Sequence, residues 1–206
     1  MANRDDERSD EELMAAYVAG DGAAFRVLFD RYAGVLYRMA RRRLGSEADA
    51  RDIVQQTLLH MHRARLDFRS DSRLRPWLFT IAMNLVRELH RKRGRRREQA
   101  LELEPPASAT APALGALEQS ERAARIRAAL ASLPEQQREV IELHWFEDSP
   151  YEEIARIVGA SVAAVRVRAH RGYERLRKLL PAPESHSAGT DIRHTEDPAA
   201  VAPREQ

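Results

Sequence analysis

SPYEEIARIVGASVAAVRVRAHRGYERLRKLL, Ser149 to Leu180, is the stretch on which the fold turns. Its opening has the form of a capped helix start. Ser149 stands at the cap, Pro150 at the first helical position, and Glu152 completes a Ser-x-x-Glu capping box. Ile154, Ala155 and Val158 recur at helical spacing, and Gly159 suits a left-handed stop. Ser161 then caps a second helix whose apolar positions are Val162, Val165, Ala169, Gly172 and Leu176. A short helix, a glycine turn and a longer helix make a helix-turn-helix pattern.

The far side of that second helix carries the chemistry. At about 100° per residue, the arc opposite the apolar stripe holds Ala163, Val167, His170 and Arg171, with Arg166 and Arg168 on its flanks. Small residues at the start let a helix sink into a major groove, and arginines read guanine edges or hold phosphates. A merely solvated helix would explain the arginines alone. Cap, turn and basic face together point to DNA reading.

The totals agree with this once they are resolved along the chain. Of 206 residues 32% are charged, yet the net charge is only +2. The N-terminus, MANRDDERSDEE, is acidic, whereas Arg87 to Arg97 and Arg166 to Lys178 are strongly basic. Clustering of this kind is the footprint of a nucleic-acid binder. There is no cysteine, which removes disulfides, zinc–thiolate sites and cysteine nucleophiles. No apolar run approaches membrane-spanning length and the start lacks signal-peptide form, so a cytoplasmic protein without membrane insertion is expected.

An enzyme is not expected. His60 and His62 project about 200° apart on a helix and cannot chelate one metal together. No phosphate-cradling loop occurs among the nine glycines, and no nucleophile sits in an elbow. Glu152 and Glu153 are explained by the electrostatics of a helix N-terminus. Neither a cofactor, a metal nor a small-molecule substrate is implied.

Taken in order, residues 1–8 read as a disordered acidic N-terminus. Ser9 and Glu12 form a capping box ahead of Leu13, Tyr17 and Val18. Asp21 and Gly22 break that helix, and the next carries Phe25, Leu28, Phe29, Tyr32, Leu36 and Met39 on one face. It ends in the basic tail Arg41 to Arg43. Ser46 opens a third helix with Ala50, Val54, Thr57, Leu58 and Met61 inward. Asp52, Gln55, Gln56, Leu59 and Arg63 face outward, a leucine among polar groups that suits a protein partner.

A loop from Leu66 to Arg75 leads to a fourth helix with Trp77, Leu78, Ile81, Ala82, Leu85 and Leu89 inward. Thr80, Asn84, Arg87 and Arg91, at i, i+4, i+7 and i+11, make a polar stripe that runs into RKRGRRR. Asn and Arg in register with a polybasic end fit a nucleic-acid face. From 98 to 117 the composition turns to Ala, Pro, Glu and Ser, which reads as a flexible linker leaving two basic modules free on separate DNA segments. Ile126, Leu130 and Leu133 mark the next helix, and Pro134 starts the one that carries Val140, Ile141, His144 and Trp145. Residues 181–206 have the composition of a disordered C-terminal tail.

Three strings in this order resemble the extracytoplasmic-function class of small sigma factors of bacterial RNA polymerase. DARDIVQQTLLHMHR resembles the core-binding helix of region 2, and RLRPWLFTIAMNLVRELHRKR resembles the helix that reads and melts the −10 element. LPEQQREVIELHWFEDSPYEEIARIVGASVAAVRVRAHRGYERLRKLL resembles region 4, which reads the −35 element. The resemblance implies an all-α fold with a region 2 domain at 9–97 and a region 4 domain at 118–180. It implies core-polymerase contacts at Asp52, Gln55, Gln56 and Leu59. It implies −10 contacts at Phe68, Arg73, Trp77, Asn84, Arg87 and Arg91, and −35 contacts at Arg166, Val167, Arg168, His170 and Arg171. Implied partners are promoter DNA, core polymerase (the clamp helices of the β′ subunit and the β flap) and an anti-sigma factor.

Some positions depart from that family's pattern. Gln56 stands where an acidic residue is common, His62 where Trp is common, and Val167 where Ser is frequent. Gly172 replaces a frequent Ala, at an expected cost of about 1 kcal/mol in helix propensity. The rival reading is a helix-turn-helix regulator that works without polymerase, its first module serving to dimerise or to sense a signal.

Overall fold

The computed structural model describes residues 7–69, 72–99 and 114–180. Residues 1–6 of the expected disordered N-terminus at 1–8, the C-terminal tail at 181–206 and the centre of the expected linker lie outside them. Helices are the regular structure of the described residues, with no strand among them. In order the helices are α1 (Asp10–Val18), α2 (Gly22–Leu44), α3 (Glu47–Arg63), α4 (Leu74–Gln99), α5 (Leu114–Ala131), α6 (Glu135–Glu147), α7 (Tyr151–Val158) and α8 (Val162–Leu179). A single 3-10 turn, Arg65–Asp67, succeeds α3.

Local chemistry sets most of the helix ends. The Ser9 hydroxyl accepts from the Glu12 amide at 3.2 Å while the Glu12 carboxylate accepts from the Ser9 amide at 2.6 Å, so α1 has its capping box. Asp21 separates α1 from α2 by capping the second: its carboxylate accepts from Ala23 N at 2.8 Å and Ala24 N at 3.3 Å. Gly45 at φ 72° ends α2, and Ser46 caps α3 through Asp49 N. Ser161 caps α8 through Ala164 N at 3.2 Å.

The expected capping box at Ser149 does not form. Helix α7 begins at Tyr151 without a side-chain cap, and Ser149 is buried, its hydroxyl donating to Glu153 Oε1 at 3.1 Å and accepting from Arg75 at 3.0 Å. A contact from the first module has taken the serine away from the helix end.

Helices α1 to α4 bury Leu13, Met14, Leu28, Leu36, Met61, Leu78 and Met83 in one core. On α3 the buried position is Ile53, while Val54 is half-buried. On α4 the buried set is Leu74, Leu78, Phe79, Ala82, Met83 and Val86, rotated from the expected stripe, with Trp77, Ile81, Leu85 and Leu89 only half-buried. The reason is that α4 is covered twice, by α2 and α3 on one side and by α7 on another. Phe79 and Met83 share a continuous core with Ile154, Ile157, Val165 and Ala169.

The two modules, read from the sequence as free to sit on separate DNA segments with their mutual packing left open, are packed together. Their seam is also ionic. Arg43, read as a basic helix tail, has a side chain only 1% exposed, with Glu135 at 3.0 Å and Glu142 at 2.8 Å, the latter an ion pair not aligned as a hydrogen bond. Arg42 pairs with Glu147 and lies 4.6 Å over the Phe146 ring. Helix also occupies both ends of the stretch read as a linker. Arg, Glu and Gln sustain α4 to Gln99, and α5 starts at Leu114, beyond Pro112. Gly172 has a packing reason: a Cβ there would meet Ile141 Cδ1 at 2.5 Å, so the glycine sets how closely α6 and α8 approach.

Candidate nucleic-acid interface

Helix α8 buries Val165, Ala169 and Gly172 against α6 and α7. That choice fixes the opposite arc. Ala163, Arg166, Val167, His170 and Arg171 are exposed and Arg168 is half-buried, so the residues expected at the −35 element share one accessible face. Val167 is 48% exposed and stands among the arginines of that face. Arg166 lies 3.8 Å from Glu152, with both side chains more than half solvated, a contact too exposed to hold the arginine. Between the start of α6 and α8 an open cleft of about 630 Å³ is walled by Gln136, Gln137, Ala163, Val167, Arg168 and Arg171. The two glutamines escaped the sequence reading because they come just after Pro134 with no periodicity of their own.

On α4 the expected −10 residues fall into two groups. Phe68 and Trp77 pack as a tilted pair with ring centroids 5.2 Å apart, joining the loop to the start of the helix, and Arg73 is exposed. Asn84, Arg87 and Arg91 lie further along and line an open cleft of about 710 Å³ with His60, His90 and Glu135. From Trp77 to Arg91 is about 21 Å of helix. Asn84 and Arg91 are exposed.

Arg87 is not free. Its Nε donates to Glu139 Oε1 at 2.7 Å and its Nη2 to Glu139 Oε2 at 2.8 Å, a bidentate pair across the seam. Its Nη1 donates to Asn84 Oδ1 at 2.9 Å. The Glu139 hydrogen bond holds the guanidinium pKa above its ordinary value. Burial lowers that of His90 nearby.

The outward face of α3 carries Asp52, Gln55 and Gln56 exposed and Leu59 half-buried. Gln55 and Leu59 form part of an apolar groove of about 650 Å³ between α2 and α3, with Phe25, Phe29, Tyr37 and Leu58. Asp52 and Gln56 stand outside that lining. Phe29 is 43% exposed; the sequence put it in the core because its spacing matches its buried neighbours, and only the position of α3 leaves it bare. His62 is hydrogen-bonded to the Tyr17 hydroxyl at the end of this groove.

Among the described residues no group of His, Asp or Glu is placed to hold a metal ion, and no helix is long and apolar enough to cross a membrane.

Comparison with known proteins matches both modules. The family profile described as Sigma-70 region 2 matches residues 28–96, and that described as Sigma-70, region 4 matches residues 123–176. The ECF RNA polymerase sigma factor SigM of Mycobacterium tuberculosis is 34% identical over 175 residues, covering 84% of this chain and 86% of SigM. RNA polymerase sigma factor CarQ of Myxococcus xanthus is 39% identical over 168 residues, 78% of this chain and 92% of CarQ. Among solved structures, CnrH in complex with the cytosolic domain of CnrY superposes with a TM-score of 0.65 at 29% identity, covering 82% of this chain and 96% of that one. The sigma factor RpoE in complex with the anti-sigma factor NepR from Bartonella quintana gives a TM-score of 0.61 at 28% identity, with 75% and 95% coverage.

Proposed function

We propose that α8 reads the −35 element and that α4, with the loop before it, takes the −10 element, on the premise that the chain belongs to the extracytoplasmic-function (ECF) family of RNA polymerase sigma factors. It is a sigma factor and not an enzyme: it directs promoter-specific transcription initiation. The observation that carries the −35 assignment is the accessible arc Arg166, Val167, His170 and Arg171, solvated while the other side of the same helix is buried. Arginines there reach guanine O6 and N7, and Val167 suits a thymine methyl group.

At −10 the work is different. Extruding a base costs a few kcal/mol, met by stacking and pocket contacts and by cations on the phosphates. Phe68 and Trp77 supply aromatic surface, and Arg73, Arg87 and Arg91 supply the charge. Asn84 adds an amide suited to a base edge.

Core polymerase engages Asp52, Gln55, Gln56 and Leu59 through the clamp helices of its β′ subunit, with Phe29 and Tyr37 adding apolar area in the same groove. The β flap meets the second module. The relatives CnrH and RpoE are bound by CnrY and by the anti-sigma factor NepR in their structures; an anti-sigma factor covering this groove is the corresponding partner here. The site of action is the cytoplasm, with the chromosome and the polymerase.

Run-off transcription with purified core enzyme on genomic fragments tests the reading. Promoter-specific transcripts that require this chain support it, and their sequences give the −35 and −10 elements together. DNA binding with no transcript and no affinity for core enzyme would favour a polymerase-independent regulator. Pull-down that recovers polymerase but never an inhibitor counts against the anti-sigma partner.

A further inference from the structure

We propose that Glu11 of α1 is a positioning residue for the −10 face: its carboxylate caps α4 from outside that helix and so fixes where the first turn presents Arg73 and Trp77 to an unpaired strand. This rests on the −10 reading of Phe68, Arg73 and Trp77. Glu11 accepts a hydrogen bond from the Leu74 amide at 3.1 Å, across 63 residues of chain. Leu74 opens α4 and is fully buried, so water cannot serve that N–H. The residue directly before it cannot serve it either, because the Arg73 side chain holds donors only. Pro76 brings no N–H, which leaves the Leu74 and Arg75 amides as the donors that a cap can take.

The capping carboxylate is itself held in place. Asp10, one residue earlier, accepts from Arg31 at 2.7 Å and from the Tyr32 hydroxyl, both on α2. Glu12, one residue later, closes the capping box of α1 with Ser9. Three consecutive acids thus have three tasks: Asp10 ties α1 to α2, Glu12 caps α1, and Glu11 carries that fixed frame to the start of α4. The amide it holds is one residue from Arg73 and three from Trp77, which packs on Phe68 with ring centroids 5.2 Å apart. A shift of the first turn therefore moves an arginine and an aromatic surface together, in a constellation that needs its groups held to within ~0.5 Å. Both partners lie in the first module, so the bond does not depend on the second.

The free chain gives a local readout. In Glu11→Ala, hydrogen exchange of the Leu74 amide should quicken roughly tenfold or more, while the amides of Phe79 and Met83, deeper in α4, keep their protection. Holoenzyme gives the functional one. On the promoter that run-off transcription identifies, with 2-aminopurine in the −10 non-template strand, the fluorescence rise on opening should be at least about fivefold slower for Glu11→Ala. Affinity for core enzyme, and binding to a duplex carrying only the −35 element, should be unchanged. Glu11→Gln, which keeps the acceptor oxygen, should restore opening. Should Glu11→Ala melt early by circular dichroism, Glu11→Asp, a methylene too short to reach the amide, replaces it in each comparison. Unchanged exchange at Leu74, opening at the wild-type rate, or Glu11→Gln as slow as Glu11→Ala overturns the proposal. So does an equal loss of core affinity, which would make Glu11 a support for the whole first module, and so does faster opening, which would make its charge a repulsion to DNA. Arg73→Ala, measured alongside, locates the failure. If it also opens at the wild-type rate, the −10 reading of the α4 start is wrong and the proposal falls with it; if it alone is slow, that reading stands and only the capping role falls.

Discussion

Gly172 of α8 lies against Ile141 of α6 so closely that an added Cβ would stand 2.5 Å from Ile141 Cδ1. Two effects oppose each other there. Alanine in a helix interior gains about 1 kcal/mol over glycine, whereas overpacking a filled contact costs roughly 1–3 kcal/mol. Ile141 is 3% exposed and its terminal methyl has little room to retreat, so the clash wins. Gly172→Ala should destabilise the chain by about 1 kcal/mol in urea denaturation. In an Ile141→Val background, where the offending methyl is gone, the same change should become neutral or stabilising. Additivity of the two changes would show that Gly172 is only a propensity defect.

Arg171 sits mid-arc on α8, exposed, and is expected to read a base. Arg171→Ala should cost about 1–3 kcal/mol of affinity at the cognate −35 sequence and relax selectivity at one position. Equal weakening on every sequence, with the salt slope reduced by about one, would make it a phosphate anchor instead. Holoenzyme binding to a panel of −35 variants decides between these.

How far the sequence foretold this depended on the range of the interactions. The caps at Ser9 with Glu12, at Ser46 and at Ser161 are legible because a cap is made within four residues of chain, while Asp21, read only as a helix break, turns out to cap α2. The exposed arc of α8 was legible because one helix–helix contact buries a single stripe. The Ser149 box failed because Arg75, more than seventy residues away, claims the same hydroxyl. The buried set of α4 was misjudged for a related reason: a periodicity argument assumes one covering layer, and α4 has two. Arg43 read as a solvated helix end, since nothing local marks an arginine that will be enclosed by three glutamates of another helix.

Phe29 and Leu59 border one apolar groove, and Phe29 is 43% exposed without serving the core as its buried neighbours do. Its burial by a partner is worth roughly 1.5–3 kcal/mol if complete. Phe29→Ser should therefore weaken binding to core polymerase by about 1–2 kcal/mol, a loss of roughly five- to thirtyfold, while shifting the melting temperature little. Surface plasmon resonance against immobilised core enzyme, beside a thermal melt, separates the two effects. A large fall in melting temperature with unchanged core affinity would return Phe29 to the core.

Glu142 and Glu147 should hold the seam between the modules better when protonated, although the seam is built of ion pairs. Glu142 and Glu147 both have pKa values raised above the ordinary 4.5, with burial as the leading cause. Around Glu142, Arg43, Arg138 and Arg42 pull downward and Glu135 pushes upward; at Glu147 the opposing cations are Arg42, Arg75 and Arg38. Desolvation outweighs attraction at both, so the closed form takes up protons more readily than an opened form in which these carboxylates are solvated. Their contribution to closure is therefore complete below 4.5 and is lost as pH rises through the raised values. Burial lowers the His90 pKa beside the same seam, so that imidazole opposes closure as it protonates, and Glu142 is read as a difference between two chains. At constant ionic strength, the stability of the parent chain to urea relative to Glu142→Gln should rise as the solution is acidified from neutral pH. A relative stability that falls would mean that attraction to the arginines, not burial, governs this carboxylate.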